Sequence, residues 1–238
     1  MGSNPSPRTF SKYAEVQNLK VSVRISTSCG RMVKILSTDG RSPQVDVIVE
    51  AAAAIRAGGL VIYPTETVYG LGADACSDEA VAKVFAAKVR PIEDSISIAV
   101  SSLEMARQFT QLTHKAEAIF KKFLPGPLTV ILRTKPTISK LLTAGTGKVG
   151  VRIPDHPVAL KLLDFVGGPI TSTSANISGR PAPSTVREAL DQIGKSVDLA
   201  VDAGKCKLGV SSTVVDLTVE PFKVLREGPI KEKEILAI

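Results

Sequence analysis

The chain has 238 residues, of which 44% are hydrophobic and 22% charged. That is an ordinary globular composition with room for a sizeable core, and no apolar run approaches the roughly 18 residues needed to span a bilayer. The net charge is +7, yet Arg8, Lys12, Lys20, Arg24 and Arg31 stand against Glu15 alone in residues 1–31, so most of the excess sits in a short leader and the body is only mildly basic.

Residues 1–31 are rich in Ser, Pro, Asn and Arg without a clear period, and read as a flexible N-terminal extension ahead of a domain over 32–238. They lack the apolar core of a secretory signal, and Met32 is a candidate start. "VDVIVEAAAAIRAGG" (45–59) is alanine-rich and stopped by Gly58-Gly59, which predicts a helix. "LVIY" (60–63) predicts a short buried strand. The stretch from Ser77 to Pro91 has an N-cap serine, an acidic first turn and one apolar face, which predicts a helix. "SISIAV" (95–100) alternates like a strand, and helices follow near 103–109 and 114–123. Strands are expected at 127–133, 149–154 and 168–174, with a helix over 156–166. A capped helix at 184–194 precedes three late strands, "VDLAVDAG", "SSTVVDLT" and "FKVLREG". The alternation predicts an α/β fold with one open, twisted, mixed β-sheet flanked by helices.

Several motifs fail on their surroundings. "GLGADA" (70–75) fits the dinucleotide pattern, but six residues separate it from the preceding strand and the next helix is capped only at Ser77. Gly70 and Gly72 therefore read as a tight loop needing backbone room. "GTGK" (145–148) lacks the remaining positions of a phosphate-binding loop. Cys29, Cys76 and Cys206 are far apart with no C-x-x-C, so neither a disulfide framework nor a zinc site is supported, and a reducing, cytoplasmic setting is the expectation. Cys76 and Cys206 read as structural thiols, and His114 and His156 as caps or surface residues.

What survives is a set of polar and cationic residues at the ends of elements. "PTET" (64–67) follows a buried strand. Lys88 and Arg90 end a helix, where ordinary dipole complementation, about 0.3–1 kcal/mol, is an even competitor to ligand binding. Arg152 lies among Val151 and Ile153 and needs an anionic partner. "TSTSAN" (171–176), "SSTVVD" (211–216) and Arg226 complete the set. Strand-end loops converge on one crevice in open α/β sheets, where arginines bind carboxylates or phosphates and hydroxyls orient the ligand.

"YPTETVYGLG", Lys88-Val89-Arg90-Pro91, "LPGPLTVIL", "VGVRIPDHP", Ser174-Ala175-Asn176 and "SSTVVD…VLREGP" occur in that order. Over roughly 45–230 the chain resembles the YrdC-like family of L-threonylcarbamoyladenylate synthases. The resemblance implies a YrdC-like fold around a positively charged cavity. It implies a nucleotidyltransferase that joins L-threonine, bicarbonate and ATP into threonylcarbamoyl-AMP and releases pyrophosphate, for N6-threonylcarbamoyladenosine in tRNA. Thr65, Ser97, Arg152, Ser172 and Ser212 would hold threonine, with Arg152 on its carboxylate. Lys88, Arg90, Ile92, Ser174, Asn176 and Arg226 would lie on the ATP side. Lys88, Arg90, Ser174 and Asn176 would serve catalysis by positioning and charge stabilisation, which needs no nucleophile. Mg²⁺ would be bridged by the ATP phosphates, without a dedicated side-chain ligand. The transferase machinery that modifies tRNA, and tRNA itself, are candidate partners; a membrane is not.

Many relatives carry a proline where Ser95 stands, so the turn after Arg90 is expected to be less rigid. The chain ends at Ile238 without the C-terminal domain of longer relatives, which implies the single-domain version. A rival reading is an RNA-binding or ribosome-assembly module, motivated by the basic leader and cavity. A carbamoyl-transfer subunit of hydrogenase maturation is a third, unsupported by any cysteine spacing.

Overall fold

The computed structural model describes residues 22–26 and 32–238. In chain order the elements are β1 (Ser22–Ser26), β2 (Met32–Ser37), α1 (Val45–Arg56), β3 (Val61–Tyr63), β4 (Gly70–Gly72), α2 (Asp78–Lys88) and β5 (Ile98–Ala99). Then come α3 (Leu103–Phe109), α4 (His114–Phe123), β6 (Leu128–Arg133), β7 (Lys148–Arg152), α5 (Pro157–Val166), β8 (Ile170–Thr171) and β9 (Thr173–Ser174). The chain continues with α6 (Val186–Ile193), β10 (Leu199–Asp202), β11 (Thr213–Asp216), β12 (Lys223–Arg226) and α7 (Glu232–Leu236).

The strands form two mixed sheets rather than the one expected. The first has the order β1-β2-β10-β3-β4-β9 and the second β12-β11-β6-β7-β5-β8. In the first, β3 feeds both faces: Val61 and Tyr63 enter one apolar cluster with Ile48 and Ile55 of α1 and Leu162 of α5, while Leu60 and Ile62 join another with Val84 of α2. A strand buried on both faces reads as a continuous apolar run, which is why "LVIY" was legible.

Three expectations change. Ser22–Ser26 falls inside the stretch read as an extension and is a strand, paired antiparallel with β2 from Ser22↔Leu36 to Ser26↔Met32; the rest of 1–31 lies outside the described residues. The Gly70–Gly72 segment is a strand, not a loop. It pairs antiparallel with β3, and its glycines are needed because a Cβ on Gly70 would come within 2.9 Å of the Tyr63 ring and one on Gly72 within 3.1 Å. The single strand expected at 168–174 is two, because β8 pairs with β5 in the second sheet and β9 with β4 in the first. Ser172 therefore sits where the chain crosses between sheets.

Helix starts follow local chemistry. Ser77, Ser102, Thr113 and Thr185 each accept the backbone N–H three residues on. His156 caps α5, its Nδ1 accepting from Val158 N at 3.2 Å, and His114 is the exposed first residue of α4. Both histidines thus have the ordinary roles expected of them. Cys206 is buried and its thiol is pushed up to about 11 by desolvation; Cys76 is exposed, so only one of the two fits a buried structural thiol.

Candidate functional site

A cavity of about 490 Å³ opens at the crossing between the sheets. One wall is a face of the second sheet, with every second residue turned inward: Thr129 and Ile131 of β6, Lys148, Gly150 and Arg152 of β7, Val214 and Asp216 of β11. Of the intervening residues Val130, Val151 and Val215 enter the core, and Val149 enters the core while also touching the cavity. The first sheet contributes Tyr63, Gly70 and Ser174, and α2 contributes Lys88. Lys88, Arg90, Lys148, Arg152 and Arg226 line the cavity against the single carboxylate of Asp216.

Of the eleven residues named from the sequence, ten line this cavity: Thr65, Lys88, Arg90, Ser97, Arg152, Ser172, Ser174, Asn176, Ser212 and Arg226. Ile92 does not. After Arg90 the chain makes a turn closed by Asp94 N to Pro91 O, and Ile92 is presented to solvent at 60% exposure.

Lys88 is only 1% exposed. Its Nζ donates to the carbonyls of Ser174 and, at 2.7 Å, Asn176. Desolvation, with Arg90 nearby, lowers its pKa to about 8. The next residue ends α2 in a left-handed conformation, Val89 at φ 50°. On a continuing helix Lys88 and Arg90 would be about 200° apart; the left-handed residue lets both reach one cavity. Arg90 is held by the turn carbonyls, Nε to Asp94 O at 3.3 Å and Nη2 to Ser95 O at 2.9 Å.

The remaining groups are more constrained than the sequence suggested. The Thr65 hydroxyl closes its own turn, donating to Val68 O at 2.7 Å and accepting from the amides of Thr67 and Val68. Asn176 spends its Nδ2 on the carbonyls of Ile177 and Arg180, and its Oδ1 is buried without a partner. Ser212 Oγ shares a hydrogen bond with Thr129 Oγ1 at 2.8 Å, and Arg226 Nε donates to Ser212 O at 3.0 Å. Burial, then the nearby Arg152 charge, lowers the Arg226 pKa. The anionic partner that Arg152 needs is inside the protein: Glu66 Oε1, 2.7 Å from its Nη2.

Sequence reasoning missed Lys148, Gly150, Thr129 and Asp216. The signal was present in the alternation: counting back by twos from Arg152 gives Gly150 and Lys148, and counting forward from Ser212 gives Val214 and Asp216. Lys148 and Asp216 face each other at 3.7 Å. Among the described residues no group of three or more His, Cys, Asp or Glu side chains could hold a metal, and no helix is long and apolar enough to cross a membrane.

The Sua5_yciO_yrdC family model, described as "Telomere recombination", matches residues 53–228. A threonylcarbamoyl-AMP synthase of Pyrococcus abyssi is 40% identical over 186 residues, covering 78% of this chain and 55% of the relative. The crystal structure of P. abyssi Sua5 complexed with L-threonine superposes with a TM-score of 0.82 at 38% identity, covering 85% of this chain and 60% of that one. E. coli YciO superposes with a TM-score of 0.80 at 28% identity, covering 86% of this chain and all of YciO. The chain spans between about half and three fifths of the first curated relatives it matches, at 55%, 59% and 49% of their lengths.

Proposed function

The chain belongs to the Sua5/YciO/YrdC family, and from that premise we propose that it is a threonylcarbamoyl-AMP synthase, a nucleotidyltransferase using L-threonine, bicarbonate and ATP. The observation that carries this reading is the convergence of ten separately placed residues, from both sheets, α2 and the segments that join them, on one cation-lined cavity.

The chemistry demands such a cavity. The threonine amine adds to bicarbonate with loss of water, giving a carbamate that decomposes readily in solution. One carbamate oxygen then attacks the ATP α-phosphorus, and pyrophosphate leaves. Holding the carbamate against the phosphate is catalysis by proximity, and spreading cations along the triphosphate stabilises the charge that moves onto pyrophosphate. On this reading Arg152, with Ser97, Ser172 and Ser212, binds threonine, and Thr65 shapes its pocket through the turn it closes. Lys88, Arg90 and Arg226 take the phosphates and nucleotide, with Ser174 and Asn176 framing the Lys88 cradle. Ile92, which lies outside the cavity lining, is given no role in this reading. The site's donors, hydroxyls and carbonyls with one carboxylate already near Lys148, fit a Mg²⁺ carried mainly by ATP phosphates better than a dedicated protein cage. When bound, that ion would neutralise phosphate charge. The product would pass to the machinery that places N6-threonylcarbamoyladenosine in tRNA, a cytoplasmic role.

The test is pyrophosphate release by the purified protein. Release should require ATP, L-threonine and bicarbonate together. Equal release without threonine rejects the assignment.

A further inference from the structure

Arg152 is 6% exposed and lines the cavity, whereas its partner Glu66, 5% exposed, lies behind it and outside the lining. The guanidinium faces inward as well as outward. Its Nη2 is 2.7 Å from Glu66 Oε1 and donates to Thr67 Oγ1 at 2.7 Å, and Thr67 Oγ1 in turn meets Thr65 Oγ1 at 2.9 Å. The ion pair is close but incompletely satisfied. Neither Glu66 oxygen accepts a hydrogen bond, and Arg152 Nε is buried without a partner. A buried arginine cannot be left uncompensated, so an empty cavity requires a resident anion. A charge-assisted, hydrogen-bonded carboxylate from a ligand would satisfy Arg152 better than this coulombic contact does.

We propose that Glu66 is a positioning residue that serves as the resident counter-ion of Arg152 and competes with the substrate carboxylate for it. It fixes the guanidinium while the cavity is empty and offsets part of the field that an incoming carboxylate feels. The proposal rests on Arg152 being the group that takes the threonine carboxylate. Three residues of "PTET" then divide the work: Thr65 and Thr67 hold the turn and one edge of Arg152, and Glu66 supplies the opposing charge.

Glu66→Gln keeps the size and removes the charge. In calorimetric titration with L-threonine its Kd should fall by about tenfold, the scale of losing one close charged competitor. ATP, held by Lys88 and Arg90, should bind as it does to the unaltered protein; a merely structural Glu66 would weaken both ligands together. A threonine Kd that is unchanged or raised overturns the proposal. Glu66→Asp keeps the charge and withdraws it by one methylene, and should tighten threonine to a smaller degree. If the glutamine variant does not fold, an aspartate variant that fails to tighten threonine overturns the proposal by itself. Unaltered protein that binds no L-threonine overturns the functional reading and this proposal with it, whereas tight binding there with no gain in the variants overturns this proposal alone.

Discussion

Lys88 is a cation almost wholly withdrawn from water at the edge of the cavity, and that has two consequences of opposite sign. Its pKa is about 8 in the fold against 10.5 unfolded. The unfolded chain therefore holds the proton more tightly between those values, and stability rises with pH across that window. The charged form is disfavoured in the empty cavity, so Lys88 lowers stability most below pH 8. On the proposed reading an ATP phosphate bound beside it would restore the charge. Its binding should take up a proton near and above pH 8, and its affinity should decline as pH rises through 8. Titration calorimetry in buffers of different ionisation heat measures the uptake, and Lys88→Arg, which stays charged, should abolish it. Arg152 gives the second prediction at this scale. Arg152→Ala strands Glu66, so beyond weaker threonine binding it should destabilise the fold by about 3–5 kcal/mol, a drop in Tm of roughly 10 °C in a thermal melt. The motif around each residue was legible in the sequence. That Lys88 is capped by carbonyls and Arg152 by Glu66 was not, because both partners come from segments whose contact only the fold creates.

The strand β7 shows what an element adds to its residues. Lys148, Gly150 and Arg152 share its cavity face, and the glycine between two cations is there for space. A Cβ on Gly150 would collide with Ser97 Oγ and come within 2.8 Å of Thr129 Cγ2. The absent side chain is what lets Ser97, just before β5, lie over β7 and reach the cavity. Gly150→Ala should therefore displace Ser97, raise the threonine KM more than the ATP KM, and cost about 1–3 kcal/mol by overpacking; kinetics and a thermal melt on one preparation measure both. An equal rise in both KM values would show a general loss of structure instead. The same spatial reason governs Gly70 and Gly72 under Tyr63, where a glycine pattern first suggestive of a nucleotide loop proves to be strand packing. The stretches that hold β6, β7, β10 and β11 read as strands in the sequence, and N-cap residues marked α2 and α6. β5 was visible only as the longer alternation of "SISIAV" and β8 with β9 only as one strand; two-residue pairings are too short to show in the sequence which strand they join, so their partners stayed hidden.

At the scale of the molecule the missed pairings matter most, since they turn one expected sheet into two and place the cavity at their crossing. The chain passes from β8 through Ser172 to β9, leaving the second sheet for the first within five residues, and Ser172 N donates to Ser97 O at 2.7 Å on the way. Neither proposed ligand is confined to one sheet. Threonine would touch the Thr65 turn that follows β3 and Arg152 of β7, while ATP would touch Ser174 of β9 and Arg226 of β12. Binding should brace the two sheets against each other, so that it stabilises the whole fold and not a local loop. For either ligand at about 100 times its Kd, mass action gives about 2.7 kcal/mol, a rise in Tm of roughly 5–10 °C. The bracing makes a stronger claim than mass action alone. With a non-hydrolysable ATP analogue and L-threonine together, amide hydrogen exchange should slow in β3 and β4 and also in β6 and β7. Protection confined to one sheet would mean that the ligands do not bridge the crossing, and that the cavity binds them on one wall only.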